Sequence, residues 1–379
     1  MNVVVVREAP GEARVALVPE TVGRLAKAGI SVSVEHNAGH GAAFSDKLYQ
    51  DAGATVGSDK AALLKQADVL VKVGRPTSEE IRELRSGAAV ISLLAPLGDP
   101  EYVRELAQSN VTALSMDAIP RITRAQSMDA LSSQSNIAGY KAVLIAATWL
   151  PKFFPMLTTA AGTIPPAKAL ILGAGVAGLQ AIATARRLGA VVSAYDTRAV
   201  VKEQVQSLGA KFLEIDVGGD AEGAGGYAKE LTPEQIETQR KFMVQHIGDS
   251  DVVITTALVP GRRAPLLITE EAVKAMRQGS VIVDLAAEAG GNCAVTKPGE
   301  TVVVHGVTIV GITNVPGTMP YHASQLYSRN VFTLLQHLTK DATLHLDFTD
   351  EITKGTTLTH EGKVLHEPTL AALQTGAPS

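Results

Sequence analysis

A glycine motif is the first candidate for chemistry in this chain. Gly173, Gly175 and Gly178 give the spacing GxGxxG within KALILGAGVAGLQA, directly after an apolar run and directly before a helical pattern. In a dinucleotide-binding turn, the first glycine permits the bend, the second admits the pyrophosphate to the backbone, and the third lets strand and helix pack closely. With Ala174 and Val176, these glycines predict a phosphate site at the positive end of a helix, although such glycines can also serve packing alone.

An acidic residue at the end of the next apolar run supports this prediction. Asp196 closes VVSAYD, about 20 residues after the glycines, where dinucleotide-binding folds place a ribose-binding carboxylate. Such a carboxylate accepts hydrogen bonds from the ribose hydroxyls and repels a 2′-phosphate. Arg198 would favour NADP, yet Asp196 holds the contacting position. Residues 168–196 therefore predict a β-α-β unit that prefers NAD(H) over NADP(H), with Thr197 and Arg198 beside the ribose.

Whole-chain composition limits the classes of function. A chain of 379 residues, 46% of them hydrophobic, is long enough for two domains with separate cores. A net charge of -4 and an aromatic content of 4% argue against nucleic-acid binding. Nine histidines without metal-ligand spacing indicate no protein-held metal. Cys293 is the only cysteine, so no internal disulfide can form and a cytoplasmic location is favoured.

No stretch of the sequence predicts insertion into a membrane. The N-terminal MNVVVVREAP lacks the basic start and the cleavage site of a signal peptide, and we interpret it as a first strand. The most apolar stretch, residues 142–150, has about half the length needed to span a bilayer. We therefore expect no direct membrane insertion of this chain.

Short β-branched runs alternate with helical patterns in two regions of the chain, which predicts α/β folds with parallel sheets flanked by helices. The predicted strands are residues 3–6, 32–35, 69–73, 90–94 and 111–114, and then residues 169–172, 191–195, 252–255 and 281–284. Pro19 and Gly29 delimit a helix over residues 19–28. Strand-like pieces near residues 356–359 and 363–366 are expected to return to the first domain.

The intervening segments predict how the two regions are joined. Residues 121–136 are polar and predict a loop and hinge before a helix over residues 137–150, and another helix is predicted over residues 321–338. We expect two Rossmann-like domains, residues 1–130 with 325–379 and residues 131–324, joined by these long helices across a cleft. The glycine-rich residues 214–230 lack apolar periodicity and predict a mobile, functional loop.

The run RAQSMDALSSQSNIAGY, residues 124–140, has polar groups where a plain linker would need none, although a linker remains an alternative. This run closely resembles the NAD(H)-binding component, domain I, of proton-translocating nicotinamide nucleotide transhydrogenases. The resemblance extends along the chain through REAPGEARVALVPETV, GAGVAGLQA, GGYAKEL, ITNVPGTMPYHAS and DEITKGTTLTHEGKV.

The resemblance implies a homodimer of two-domain subunits that binds NAD(H) and exchanges hydride directly with NADP(H) held on a partner domain. It also implies membrane-spanning partner subunits that couple this exchange to proton translocation. The chain would then be cytoplasmic and attached peripherally to the inner membrane through those partners. Because the sequence ends at LAALQTGAPS, it resembles the members that encode this component as a separate subunit.

The resemblance assigns the nicotinamide end of the site to residues 121–132. Arg121 and Asp129 would hold and turn the carboxamide, Ser132 would add a hydrogen bond, and Gln126 would reach toward the nucleotide of the partner. Ser127 and Met128 lie in the same loop. A plainer alternative is that Arg121 and Asp129 pair with each other across a hinge and serve structure only.

Further nucleotide contacts are implied at isolated positions. Tyr227 in GGYAKEL matches a mobile loop that closes over bound nucleotide in that family, whereas an exposed loop tyrosine without a role is the alternative. Gly226, Gln239 and Leu258 also match nucleotide-contacting positions.

Two other classes of function remain open from the sequence. Alanine dehydrogenases share several motifs, and Arg14 and Lys72 match their substrate-contacting positions. However, AVISLLAP has no histidine where those enzymes carry a catalytic one, and Glu288 occupies the position of their catalytic aspartate. Hydride exchange between two nicotinamides needs alignment but no acid or base, unlike amino-acid oxidation. A non-catalytic NAD(H)-binding module is the third alternative.

Overall fold

A computed structural model describes residues 1–215, 233–258 and 261–375 of the chain. The chain divides into two compact units, Met1–Gln134 with Pro316–Ser379, and Ser135–Val315. Each unit is built on its own sheet flanked by helices, which confirms the predicted α/β class with two Rossmann-like folds.

The first unit opens with strands and helices in alternation. Val3, Val4 and Val5 are fully buried, because a strand covered by helices on both faces buries consecutive residues. Pro19 occupies the first turn of α1, and Gly29 follows the helix with φ of +77°. The elements are β1 Asn2–Val5, α1 Pro19–Lys27, β2 Ser31–Glu35, α2 Asp46–Asp51, β3 Thr55–Gly57, α3 Lys60–Lys65, β4 Val69–Val71, α4 Ser78–Glu83, β5 Ala89–Ser92, α5 Pro100–Gln108 and β6 Thr112–Ser115.

The prediction that residues 121–136 form a loop is wrong. A 3-10 helix covers Thr123–Met128, and α6 Ala130–Trp149 begins directly after Asp129. The Oδ1 atom of Asp129 accepts a hydrogen bond from the main-chain N–H of Ser132 at 2.9 Å. Asp129 therefore caps α6, and the serine-rich run that was expected to be a loop forms its first turns.

The second unit has the strand order of a dinucleotide-binding fold. Its sheet runs β11-β10-β9-β12-β13-β15-β14, and all neighbours are parallel except β14 with β15. The order reverses between β9 and β12, where such folds bind their ligands. The elements are β7 Leu157–Thr159, β8 Gly162–Ile164, β9 Lys168–Leu172, α7 Val176–Arg187, β10 Val191–Tyr195, α8 Lys202–Ser207, β11 Lys211–Phe212, α9 Pro233–Gly248, β12 Val252–Thr255, α10 Glu270–Ala275, β13 Val281–Asp284, β14 Thr301–Val304 and β15 Val307–Val310.

The C-terminal strands complete the first sheet. In that sheet, of order β19-β18-β6-β5-β4-β1-β2-β3, β18 pairs antiparallel with β6. This pairing confirms that these strands return to the first fold, although β18 here and β14 in the second sheet make both sheets mixed rather than purely parallel. The elements are α11 Pro320–Leu338, β16 Thr339–Lys340, β17 Thr343–Leu344, α12 Glu351–Thr356, β18 Thr357–His360, β19 Lys363–Val364 and α13 Glu367–Thr375.

Alternation along β9 places a core on each face of the second sheet. Ala169 and Ile171 pack with residues of α6, α7 and α8, whereas Leu170 and Leu172 pack with residues of α9 and α10. Burial on both faces holds the end of β9 in place, and the glycine turn starts from that end.

Candidate functional site

The glycine motif forms the predicted turn between β9 and α7. Gly173 has φ of +98°, a conformation that side chains other than glycine rarely adopt. A Cβ on Gly178 would overlap the carbonyl oxygen of Gly173, so helix and strand pack closely only with glycine there. Among the described residues, no atom lies within 4 Å of the position that a Cβ on Gly175 would occupy. The first and third glycines thus serve the fold, and the second keeps open the space before α7.

That open space is suited to a phosphate group. It lies at the N-terminus of α7, a helix of 12 residues, where the unpaired N–H groups and the helix dipole favour an anion. Ala174 is buried, and Val176 is exposed in the first turn of the helix. The residues present therefore fit the pyrophosphate of a dinucleotide.

Thr256 fixes the turn from the neighbouring strand, a role that the sequence analysis missed. Its hydroxyl is 3.2 Å from the carbonyl oxygen of Gly173 and 3.3 Å from that of Leu172, and it donates to this pair. Thr256 directly follows β12, across the reversal point of the sheet. Its position at the carboxyl end of a parallel strand is the signal that could have revealed it.

Asp196 lies at the end of β10 and joins the glycine turn to Arg198. Its Oδ2 atom accepts from the main-chain N–H of Ala174 at 2.7 Å, and its Oδ1 atom accepts from the main-chain N–H of Arg198 at 2.9 Å. The guanidinium of Arg198 donates to both oxygens at 3.0 Å. Burial opposes ionisation, but these hydrogen bonds outweigh it and hold the pKa of Asp196 below its usual range. The carboxylate is thus charged at neutral pH.

The residues assigned to the nicotinamide end belong to the first unit, whereas the glycine turn and Asp196 belong to the second. Arg121, Gln126 and Ser127 are exposed, and Met128 is buried. The hydroxyl of Ser132 donates to Asp129 at 2.5 Å, next to the capping bond from the Ser132 N–H. Within the described residues Arg121 forms no ion pair, so the alternative of an Arg121–Asp129 pair finds no support.

The remaining predicted contacts are only partly described. Gly226 and Tyr227 lie outside the described residues, as does most of the predicted loop over residues 214–230. Gln239 lies on α9. Leu258 is exposed two residues after Thr256, at the same end of the sheet as the glycine turn.

The positions shared with alanine dehydrogenases are neutralised from within the first unit. The guanidinium of Arg14 donates to both oxygens of Glu12, at 2.9 and 2.6 Å, and to the side chain of Gln134 at 2.8 Å. Lys72 is 2% exposed, and its Nζ atom donates to the carboxylate of Glu80 at 2.9 Å. Both cations therefore serve as structural ion-pair partners.

Across the residues that the structure describes, no helix is both long enough and apolar enough to span a bilayer.

Comparisons with known proteins cover nearly the whole chain. The family described as "Alanine dehydrogenase/PNT, N-terminal domain" matches residues 4–138, and "Alanine dehydrogenase/PNT, C-terminal domain" matches residues 142–367. The first of the separately encoded pieces of the NAD(P) transhydrogenase alpha subunit of Rhodospirillum rubrum is 50% identical over 366 residues, which cover 94% of this chain and 95% of that protein.

Two solved structures share the fold. The crystal structure of transhydrogenase from Sinorhizobium meliloti superposes with a TM-score of 0.85 at 46% identity, covering 97% of this chain and 99% of that one. An L-alanine dehydrogenase superposes with a TM-score of 0.83 at 27% identity, covering 100% of both chains. These similarities confirm the resemblance derived from the motifs: the chain belongs to the alanine dehydrogenase/PNT family and, within it, to the alpha subunits of NAD(P) transhydrogenases.

Proposed function

We propose that this chain is the NAD(H)-binding component of a transhydrogenase and passes hydride between its own NADH and NADP⁺ held by a partner domain. The observation that carries the proposal is the open space at Gly175, which adjoins the N-terminus of α7 and the charged Asp196. A helix N-terminus favours the pyrophosphate, and a carboxylate favours free ribose hydroxyls. Together they support selection of NAD(H).

Asp196 would discriminate against NADP(H) by repulsion of the 2′-phosphate. Its oxygens already accept from Ala174 and Arg198, and each carboxylate oxygen has a further lone pair for a ribose hydroxyl. Because Arg198 is paired with Asp196, its charge is compensated where a 2′-phosphate would need it. Thr197 and Arg198 would line the ribose.

The nicotinamide ring would be held by Arg121, Gln126, Asp129 and Ser132, with Ser127 and Met128 in the same segment. Hydride leaves C4 of the dihydronicotinamide with its bonding electrons and bonds to C4 of the NADP⁺ ring. NADH is thereby oxidised to NAD⁺, NADP⁺ is reduced to NADPH, and no separate proton is transferred. The task of these side chains is therefore orientation and exclusion of water rather than acid–base catalysis.

Alanine oxidation is disfavoured by two internal pairings. A substrate carboxylate at Arg14 would compete with Glu12, which already forms a two-bond pair with that guanidinium. Lys72 is buried against Glu80, and Leu94, in the segment that lacks a histidine, is fully buried and apolar. Neither Lys72 nor Leu94 is suited to transfer the proton that amino-acid oxidation requires.

Partner chains follow from the proposed function. A separate NADP(H)-binding subunit would supply the second nucleotide, and membrane-spanning subunits would couple the exchange to proton translocation. The chain would sit in the cytoplasm and attach to the inner membrane only through those subunits. Gly226, Tyr227, Gln239 and Leu258 are proposed as additional nucleotide contacts.

We also propose a homodimer that forms through an apolar surface of the second unit, here called the hairpin surface. It consists of the β7–β8 hairpin, whose strand residues are all exposed, and the exposed side chains of Trp149, Phe153 and Met156. A lone two-stranded hairpin is marginally stable in water, and contiguous exposed apolar groups typify protein interfaces. A second copy would cover both.

Isotope transfer tests the proposed reaction directly. NADH carrying deuterium at the transferred C4 position would be mixed with the chain, NADP⁺ and the NADP-binding domain of a related transhydrogenase. We expect the deuterium in NADPH, with none incorporated from deuterated solvent when unlabelled NADH is used. NADH formation from alanine and NAD⁺ would identify an alanine dehydrogenase instead, and NADH binding without any transfer would identify a non-catalytic module.

A further inference from the structure

The proposed nicotinamide segment, residues 121–132, is held by a residue some 200 positions away in sequence. Asn330 on α11 is 7% exposed, and both ends of its amide are used. Its Nδ2 group donates to the carbonyl oxygen of Ser127 at 2.8 Å, and its Oδ1 atom accepts from the hydroxyl of Ser133 at 2.7 Å. These two partners lie on opposite sides of Asp129 in the sequence. One amide therefore bridges the 3-10 helix and the first turns of α6.

A second tether holds the start of the same segment. The guanidinium of Arg124 donates to Asp350 at 2.9 Å, and Asp350 also accepts from the main-chain N–H of Ile352 at 2.8 Å. The Nε2 atom of His337 on α11 lies 3.1 Å from the Oδ1 atom of Asp350. Burial opposes ionisation of Asp350, but the bond from Arg124 and the capping bonds lower its pKa to about 2. Asp350 is thus a fixed anion that links Arg124 to α11 and α12.

The segment needs such outside support. A 3-10 helix has poorer hydrogen-bond geometry than an α-helix, and this one is six residues long. Arg121, Gln126 and Ser127 are exposed and contribute no packed core. The orientation of the segment is consequently decided by the buried amide of Asn330 more than by its own hydrogen bonds, while the exposed Arg124 adds a weaker constraint.

We infer that Asn330 is a positioning residue for hydride transfer, and that it acts by setting the distance between the Gln126 side and the Asp129 side of the nicotinamide segment. Asn330 belongs to the first unit, whereas the glycine turn and Asp196 belong to the second, so its role is separable from nucleotide affinity. This positioning role rests on the proposed function, and it adds a residue on α11 to the machinery of the exchange.

The test compares Asn330→Asp with Arg329→Ala, a matched change at the neighbouring position of α11. Aspartate has nearly the shape of asparagine but, when ionised, cannot donate to the Ser127 carbonyl. The guanidinium of Arg329 pairs instead with Glu20 at 3.6 Å on the surface. NADH dissociation constants, melting temperatures and single-turnover transfer at saturating NADH would be measured for each.

For Asn330→Asp we expect transfer to slow by about tenfold or more, because small displacements of aligned reactants are costly, with the NADH dissociation constant within about threefold of the parent. Arg329→Ala should match the parent. Arg124→Gln should slow transfer by a smaller factor, and it keeps the inference testable if Asn330→Asp does not fold. Transfer at the parental rate in both Asn330→Asp and Arg124→Gln would overturn the inference, as would an equal loss in Arg329→Ala.

Amide hydrogen exchange separates this inference from the proposed function. In Asn330→Asp we expect faster exchange at residues 123–133 than in the parent, with unchanged exchange in β9 and α7. If the unmodified chain transfers no hydride, the proposed function fails, and the exchange experiment still decides whether Asn330 holds the segment. Unchanged exchange at residues 123–133 would overturn the positioning role.

Discussion

The carboxylate of Asp196 accepts a hydrogen bond from the main-chain N–H of Ala174 at 2.7 Å. The residue that would select the ribose is thus tied directly to the turn that would receive the pyrophosphate. The bond crosses from the end of β10 to the end of β9, which are neighbours in the sheet. A change at Asp196 is therefore expected to affect both halves of nucleotide recognition.

Replacing Asp196 by alanine should weaken NADH binding by roughly 1.5–3 kcal/mol, the usual worth of hydrogen bonds to a charged group. The preference for NADH over NADPH should narrow, because the repelling charge is lost and Arg198 is released. Calorimetric titration with both nucleotides measures this. Asp196→Ala with Arg198→Ala is the control, and it should lose any gain in NADPH affinity. An unchanged NADH/NADPH ratio would contradict the selectivity argument.

Gly175 and Gly178 should respond in opposite ways to alanine. A Cβ on Gly175 meets open space among the described residues, at an ordinary φ of -76°, so Gly175→Ala should keep its melting temperature and lose NADH affinity. A Cβ on Gly178 would collide with the Gly173 carbonyl, so Gly178→Ala should unfold at a lower temperature, by several degrees. Thermal melts with and without NADH distinguish the two. Equal melting temperatures without nucleotide would refute the division of roles.

Asp129 has a capping role that can be separated from its proposed role at the nicotinamide. Asparagine is as good an N-cap as aspartate, so Asp129→Asn should be stable, whereas Asp129→Ala should cost about 1 kcal/mol. If the charge also holds the carboxamide, Asp129→Asn should still slow single-turnover transfer, as should Arg121→Ala and Gln126→Asn. Urea unfolding and transfer rates at saturating NADH supply the two readouts. Normal transfer in all three variants would remove the assignment.

Glu8 should make the stability of the chain depend on pH. Burial raises the pKa of Glu8 from 4.5 to about 7, against the opposing effect of Lys72, whose Nζ atom lies 3.9 Å away. The folded state then holds a proton that the unfolded chain releases. The stabilisation is complete below the unfolded pKa of about 4.5 and is lost as pH rises to about 7.

Urea unfolding between pH 5 and pH 8 checks this expectation. The free energy of unfolding should decrease with rising pH, by up to about 1.4 kcal/mol per pH unit from this one group. Glu8→Gln should flatten the decrease, whereas Glu20→Gln, at an exposed surface pair, should leave it unchanged. An identical pH profile for the parent and Glu8→Gln would show that Glu8 is ionised in the folded chain throughout.

The hairpin surface predicts a concentration-dependent dimer. Met156→Asp places a charge on this exposed apolar surface and should shift the chain toward monomer in light-scattering measurements. Val303→Asp is the control, because Val303 is exposed on β14, outside that surface. A monomeric parent chain, or equal dissociation by both variants, would exclude dimerisation through the hairpin.

Local patterns were sufficient wherever the physics is local. The turn between β9 and α7 follows from glycine conformations and from the apolar runs beside it, and the position of Asp196 follows from the length of one β-α-β unit. Most strands of both sheets followed from runs of β-branched residues, because strands buried on two faces favour them. β3, β14 and β15 were missed, since short strands carry little periodicity.

Tertiary structure alone decided how the candidate site is held. Polar composition predicted a loop at residues 121–136, but Asp129 caps a helix there, and Asn330 and Asp350 fix it from a distant region of the chain. The role of Thr256 at the glycine turn emerged in the same way. Side-chain hydrogen bonds between distant residues leave no periodic trace in a sequence, because only the folded backbone brings donor and acceptor within about 3 Å of each other.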